Sequence, residues 1–572
     1  MTSEASEPVL VAEALLDSLV RCGVEVVFAN AGTDFASIIE VLVKARSTGQ
    51  RVPRFLTVPH ENVAVAMAHG FHRVTDAPVA AMVHVTVGTA NASCALMNAS
   101  RDGVPLLLMA GRSPISERGQ VGSRTAPIHW GQESFDPGGA VREYVKWDYE
   151  LRAGQPVATV VERALDIALS EPRGPVYLTL PREVLASSQS EQAVEMARRP
   201  LGAVPAPPSV EALDEVAELV GRSTRPLLVT SQLGRAEGAF DALTSLAERF
   251  AIPVVQPGCR ALSLSSRHPM NLGHDVAPYL DWADLMLVMD CEVPWIPVRG
   301  EPAPGCRVVQ IGTDPLFARY PIRTHRSDLA IAGRAADALP LLAEMLDRRV
   351  TPEGREARRQ TIAALQEERA TRRATQLEAV RTRVPVHPLW LAACVNAAKP
   401  EDAIVVNELG VPVDALELTQ SESYLSISTA GGLGFGLGAA LGVKLARPER
   451  DVIAITGDGS QIFGNPVAAY FVANAEHLAP LVIVNNNARW NAVRTSALKV
   501  HPDGYMRRAE SVPLVSLEPS PRFDTIMEAC GGHGEAVEDP AELPAVLERA
   551  LQRTRDGTPV VVNVATGPGE GQ

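Results

Sequence analysis

Between Val452 and Asn491 the chain places one carboxylate and a run of amides behind two apolar stretches. The β-prone run Val452-Ile453-Ala454-Ile455-Thr456 leads into Gly457-Asp458-Gly459-Ser460. A helical segment follows, and a second apolar strand, Leu481 to Val484, ends in Asn485-Asn486-Asn487. This spacing brings a carboxylate and an amide oxygen to neighbouring strand ends, where hard oxygen ligands can hold a divalent cation against a diphosphate. The glycines let the backbone approach the phosphates closely. A Gly-Asp-Gly turn alone is common. Followed by a helix, a strand and paired Asn at this distance, it is a specific signal.

A second constellation lies near the other end of the chain. Pro59-His60-Glu61-Asn62 opens a helical stretch to Arg73, a strand then ends at His84, and Gly88-Thr89-Ala90-Asn91-Ala92 turns into a further helix. Taken alone, Glu61 reads as a first-turn carboxylate favoured by the helix dipole. The His84 imidazole is suited by its ordinary pKa to move protons, and it also reads as a satisfied structural histidine. His60, His69 and His72 have no metal-ligand spacing and read as structural or exposed.

Helical patterns alternating with short β-runs must position these groups. From about Val9 to Leu185, the apolar spacing of Leu15, Leu16, Leu19 and Val20 predicts a helix ended by Gly23. Strands follow at Val24–Phe28, Val79–Val83, Leu106–Met109 and Val176–Leu180. The Pro- and Ala-rich stretch Leu201 to Ser209 reads as a linker. A second block carries strands at Pro226–Thr230, Leu285–Met289 and Val308–Ile311. Arg348 to Arg383 mixes Arg and Glu with almost no large apolar residue, which predicts a solvated connecting helix rather than a nucleic-acid arm. A third block runs from about His387 to Val564. The predicted fold class is α/β, with three doubly wound parallel-sheet domains at 1–190, 205–345 and 386–572, and the connecting helix at 346–385. No short repeat is evident, although blocks one and three could share a fold.

The composition narrows the class. The 572 residues are 46% hydrophobic and 21% charged, and the net charge of −14 excludes a basic nucleic-acid surface. The seven cysteines (Cys22, Cys94, Cys259, Cys291, Cys306, Cys394 and Cys530) form no CxxC pair, as expected in a reducing cytosol. The acidic start MTSEASEPVLVAEALLDSL is not a signal peptide, and no apolar run reaches membrane-spanning length. A soluble cytoplasmic protein is expected.

Both constellations, in this order, resemble those of thiamine-diphosphate enzymes. The closest likeness is to the group of acetolactate synthases, benzoylformate decarboxylase and 2-hydroxyacyl-CoA or oxalyl-CoA lyases. It extends over nearly the whole chain, including Ala29-Asn30-Ala31-Gly32-Thr33, Gly88-Thr89-Ala90-Asn91, Lys146-Trp147, Gly174-Pro175-Val176-Tyr177-Leu178 and Gly431-Gly432-Leu433-Gly434. The resemblance implies pyrimidine-binding, central and diphosphate-binding domains. Glu61 would hydrogen-bond the thiamine pyrimidine and promote formation of the C2 ylid. The ylid would attack a carbonyl, usually of a 2-oxo acid, and leave an enamine that is protonated or adds to a second carbonyl.

By the same resemblance Asp458 is a Mg2+ ligand and the backbone carbonyl of Arg489 another. The second side-chain ligand is Asn487, aligned by Ala488-Arg489-Trp490, although the spacing from Asp458 also allows Asn485. Gly457, Gly459 and Ser460 complete the diphosphate turn. Leu433, beside Gly432, props the cofactor into its bent form, and Gly410 and Val411 lie near the pyrimidine. His84 stands where benzoylformate decarboxylase-like enzymes have an active-site His, and Thr33 where they have a Ser. Their second His, in the central domain, is replaced by Val293-Pro294-Trp295-Ile296-Pro297, which argues against a pure decarboxylase. Gln132 is a substrate-channel contact, Glu133 beside it could face solvent, and His129 and Trp130 could gate access.

In the synthases the central domain holds FAD, and in the CoA lyases ADP. Ile311-Gly312-Thr313-Asp314-Pro315 could place Asp314 near a ribose and also reads as a plain strand–turn. The expected activity is a carbon–carbon lyase or carboligase of the acetolactate-synthase-like group. The alternatives are a 2-hydroxyacyl-CoA lyase, to which the short tail after Val564 gives little support, a simple 2-oxo-acid decarboxylase, or a silent regulatory member. The last would be expected to lack Glu61 or the metal motif. The cofactor would be shared between block one of one subunit and block three of another, implying a homodimer or homotetramer.

Overall fold

A computed structural model describes residues 9–189, 199–200, 202–509 and 512–567. Contacts divide the chain into two compact units. One comprises Met1–Val204, Ile427–Pro448 and Ile462–Leu478, and the other Pro205–Ser426, Glu449–Gln461 and Ala479–Gln572.

The first unit is built on a six-stranded, fully parallel sheet. Its spatial order is Arg54–Thr57, Val26–Ala29, Val79–Val83, Leu106–Arg112, Val176–Pro181, Asp148–Glu150. Its central strands are buried on both faces, which explains why they read as unbroken apolar runs. Alternate residues choose the face. Val27, Ala80, Met82, Leu107 and Met109 pack with helices Val11–Arg21 and Val157–Leu169. Phe28, on the opposite face, meets Phe71 of helix Glu61–Thr75 edge-on at 6.1 Å. The strand predicted from Val24 begins at Val26, because the Val24 N–H closes the preceding helix onto the Leu19 carbonyl.

Helix Glu61–Thr75 also packs along helix Phe435–Ala446 at backbone distance. A Cβ on Gly70 would run into the Ala439 backbone, and one on Gly442 into the Met67 carbonyl. One on Gly438 would meet the Ala66 side chain. The missing side chains allow the two helices this close approach.

The second unit carries two further parallel sheets. The five-stranded sheet runs Val254–Val255, Pro226–Thr230, Leu285–Met289, Arg307–Gly312, Leu329–Ala332. The six-stranded sheet runs Tyr424–Ser426, Ile404–Glu408, Val452–Gly457, Leu481–Asn486, Val560–Ala565, His533–Val537. Numbered along the chain, both six-stranded sheets have the order 2-1-3-4-6-5 and the five-stranded sheet 2-1-3-4-5. In all three the winding reverses between the first and third strands. That reversal opens a crevice at the carboxyl ends, where ligands of such sheets bind.

The connecting helix spans Pro352–Glu378, capped by the Thr351 hydroxyl, which accepts the Gly354 N–H at 3.1 Å. It is less solvated than its composition suggests, since Arg358 and Ile362 are buried. Arg358 donates to the carbonyls of Val220, Ser223 and Phe250, which lie at the C-terminal ends of helices Val210–Arg222 and Ala239–Phe250. The guanidinium supplies donors that helix ends cannot find internally. Of the linker, residues 202–208 have no regular structure and Ser209 caps the next helix. Leu201 lies outside the described residues.

Candidate active site

In the first unit, strands Val26–Ala29 and Val79–Val83 flank the winding reversal. The chain leaving the first strand forms the turn Thr33–Phe35, and the chain leaving the second delivers His84. Asp34, buried in that turn, takes the His84 Nδ1–H on Oδ1 at 2.5 Å. Its Oδ2 is 3.4 Å from the Val85 N–H. Val85 has φ +34°, a conformation costly for a β-branched residue and typical of functional turns. Two glycines make the arrangement possible. The His84 ring occupies the space of a Gly32 side chain, and the Asp34 carboxylate that of a Gly111 side chain. On the other side, His84 Nε2 is 3.4 Å from the Gln132 amide nitrogen, and the Gln132 carbonyl accepts the Thr86 hydroxyl at 3.0 Å. The bond to Asp34 outweighs burial and holds the His84 imidazolium above its ordinary pKa.

Glu61 is the first residue of its helix, which His60 caps by accepting the Asn62 N–H at 3.2 Å. Its carboxylate is buried, with Oε2 accepting the Asn91 amide at 2.5 Å. A Cβ on Gly88 would stand 3.2 Å from Oε1, tighter than ordinary packing, so glycine there leaves the carboxylate room. Asn98 holds the Gly432 segment. Its amide nitrogen donates to the Gly432 carbonyl at 2.7 Å, and its oxygen accepts the Gly432 N–H at 3.1 Å and the Ser428 hydroxyl at 2.9 Å. Leu433 is half-buried between Gly432 and Gly434, whose φ is +88°.

Several neighbouring readings change. Thr33 is exposed, and Asp34 beside it makes the contact with His84. Glu133 does not simply face solvent, because it pairs with Arg112 at 3.1 Å and Arg124 at 2.5 Å. His129 is buried, and desolvation followed by Arg182 and Arg124 keeps its pKa low, so it is not a surface gate. Trp130 is half exposed and borders an open groove of about 530 Å³ with Arg124 and Pro127. His69 and His72 are both buried, His69 lying 3.0 Å from Asp102.

In the second unit the same crevice falls between Ile404–Glu408 and Val452–Gly457. Gly410 and Val411 leave the first strand in a loop clasped by Asn407, which donates to the Val411 carbonyl at 2.9 Å and accepts its N–H at 3.1 Å. Asn485 donates to the Gly410 carbonyl. Asp458 is buried, with Oδ1 on the Gly459 N–H at 2.8 Å and Oδ2 on the Arg489 N–H at 3.2 Å. Burial pushes its carboxyl up from the ordinary range. Asn487 Oδ1 accepts that same Arg489 N–H at 3.1 Å, so the two side-chain oxygens converge on one point. Asn486 instead ties Ser520 and Asn563 together. The Trp490 ring fills the space a side chain on Gly459 would need, and Ser460 is buried behind the turn. Among the described residues no three His, Cys, Asp or Glu side chains form a metal cluster. One carboxylate, one amide oxygen and a nearby backbone fit a cation that takes its remaining ligands from a diphosphate.

Asp34, Asn98 and Asn407 were not apparent from the sequence. Asp34 follows a Gly-Thr pair after a strand, a weak signal, and the other two carry none.

At the corresponding edge of the central sheet, Asp314 closes its own turn by accepting the Ala318 N–H at 2.8 Å. Arg323 lies over Phe317 and donates to Gln310 and to the Glu292 carbonyl. Buried Arg260 pairs with Glu292. The cavity beside Asp314 measures only about 10 Å³.

Residues 10–137 match the N-terminal TPP binding domain of thiamine pyrophosphate enzymes, 213–342 the central domain, and 412–564 the C-terminal TPP binding domain. The chain belongs to the thiamine pyrophosphate enzyme family, whose members make and break carbon–carbon bonds. It is 30% identical to benzoylformate decarboxylase of Pseudomonas aeruginosa over 533 residues, covering 90% of this chain and 92% of that one. It is 28% identical to the acetolactate synthase large subunit of Mycobacterium tuberculosis over 565 residues, covering 96% and 94%. The fold of 4-hydroxybenzoylformate decarboxylase from Rhodococcus jostii superposes with a TM-score of 0.79 at 24% identity, covering 98% of this chain and all of that one. No described helix is long and apolar enough to cross a membrane.

Proposed function

We propose that the protein is an acetolactate-synthase-like lyase or carboligase acting on a 2-oxo acid with thiamine diphosphate and Mg2+. The observation that carries this reading is the His84–Gln132 pair at the carboxyl edge of the sheet that also presents buried Glu61. Similarity to a benzoylformate decarboxylase and an acetolactate synthase supports a 2-oxo-acid substrate.

Thiamine diphosphate, when bound, supplies an electron sink for the carbon that loses its carboxylate or acyl partner. Glu61, its carboxylate held by the Asn91 amide, would pass a proton to and from the pyrimidine of bound thiamine diphosphate. Asp458 and Asn487 would supply the side-chain oxygens for Mg2+, and the Arg489 carbonyl a third. The turn Gly457–Ser460 would carry the diphosphate, and Gly410, Val411, Gly432 and Leu433 would border the cofactor. His84 gives and takes the substrate's proton at Nε2, and Gln132 orients the substrate oxygen that carries it. Thr33, in the turn that carries Asp34, would border the cofactor. The small cavity beside Asp314 leaves no room for FAD or ADP at that turn, so the purified protein should show no flavin absorption. A flavin spectrum would overturn that part.

The first test is carbon dioxide release from pyruvate and from benzoylformate by purified protein with both cofactors, against Glu61→Gln. Loss of roughly a hundredfold or more in the variant is expected of a group that moves a proton. Equal turnover would remove Glu61 from the mechanism. No release from any 2-oxo acid, with cofactor binding confirmed, would favour a 2-hydroxyacyl-CoA lyase.

A further inference from the structure

The strand end that carries His84 holds a second acidic group with no role in the reading above. We propose that Asp34 is the positioning residue of this site, fixing His84 as the Nδ1–H tautomer so that its exchangeable proton sits on Nε2, facing Gln132. The inference rests on the proposed role of His84.

Three features carry it. A carboxylate oxygen only accepts, so the 2.5 Å contact obliges the ring to donate from Nδ1. Nε2, 3.4 Å from the Gln132 amide, is then the lone pair that takes a proton. The backbone commits to this geometry at a cost, because Val85 is held at φ +34° with its N–H toward Asp34 Oδ2. Space is reserved on both sides, since neither Gly32 nor Gly111 could carry a side chain without displacing the His84 ring or the Asp34 carboxylate.

The groups that act on His84 are Asp34 from the turn Thr33–Phe35, Glu61 from its helix, and Gln132 and His129 from the segment around Ile128–Gly131. Asp34 is the largest influence and raises the imidazole pKa above its ordinary value, while burial opposes it. Replacing the carboxylate by an amide removes the anion but keeps the shape.

The test is carbethoxylation of His84, which requires the neutral ring, followed by mass spectrometry of the His84 peptide across pH in the cofactor-free protein. Asp34→Asn should move the midpoint down by about one pH unit or more, and Asp34→Glu should restore it in part. The pH limb of kcat assigned to His84 should move in the same direction. An unchanged midpoint in a folded Asp34→Asn protein would overturn the proposal. If Asp34→Asn does not fold, Gly111→Ala, which presses on the same carboxylate, is expected to shift the midpoint, and no shift there also overturns it. Because the labelling needs no substrate, a failure here is distinct from failure of the 2-oxo-acid reading, which the activity assay reports.

Discussion

At the scale of single residues, the site separates groups that must stay charged from groups that must titrate. His84 is the second kind. Its pKa is raised, so the protonated form persists to higher pH than for a free histidine. If its task is to deliver a proton, the rate should fall as pH rises through a midpoint above the ordinary value. Asp34→Asn should bring that fall to lower pH, as a profile of kcat against pH would show. Asn487 is of neither kind, because its neutral amide acts only through its oxygen. Asn487→Ala should weaken Mg2+ binding by tenfold or more, since a site with two side-chain oxygens loses one of them. Trp490, packed on Gly459, offers a fluorescence readout of the titration. Asn485→Ala should disturb the Gly410 loop instead, and equal Mg2+ affinity in Asn487→Ala would transfer the ligand role to Asn485.

At the scale of elements, the pairing of helices Glu61–Thr75 and Phe435–Ala446 is set by missing side chains rather than by large apolar ones. A leucine at Gly442 would meet the Met67 carbonyl, which cannot swing aside as a side chain can. The strain should be about 3 kcal/mol or more. Thermal unfolding of Gly442→Leu should therefore begin several degrees below the parent. Gly305→Ala, where a Cβ meets nothing within 4 Å, should leave it unchanged. The helix Pro352–Glu378 shows the opposite device. Its charged composition predicts solvation, yet buried Arg358 docks it by satisfying three carbonyls.

At the scale of the whole molecule, three sheets share the order 2-1-3-4 in their first four strands, which supplies three crevices. Two receive glycine turns and carboxylates, and at the central one Arg260 pairs with Glu292, whose carbonyl accepts from Arg323. We propose that each cofactor is shared by two copies of the chain, in a homodimer or homotetramer. Glu61→Gln and Asp458→Ala chains, each inactive alone, should then recover roughly a quarter of parental activity when randomly mixed, because half the dimers carry one intact site. No recovery in verified mixed dimers would mean that each chain holds its cofactor unaided.

Local chemistry made much of this protein legible in its sequence. Apolar runs bounded by glycine marked the parallel strands, because a strand buried on both faces needs apolar residues at every position. The Gly-Asp-Gly turn and the Asn run stood out because a cation–diphosphate site draws its ligands from consecutive strand ends. The tertiary structure decided what depends on pairing across distance. Asp34 meets His84 from 50 residues away, and Asn98 grips Gly432 from 334 away. Neither pairing leaves a local pattern, since hydrogen-bond partners are chosen by the winding of the sheet. The same winding brought Asn487 rather than Asn485 onto the N–H that Asp458 also reaches.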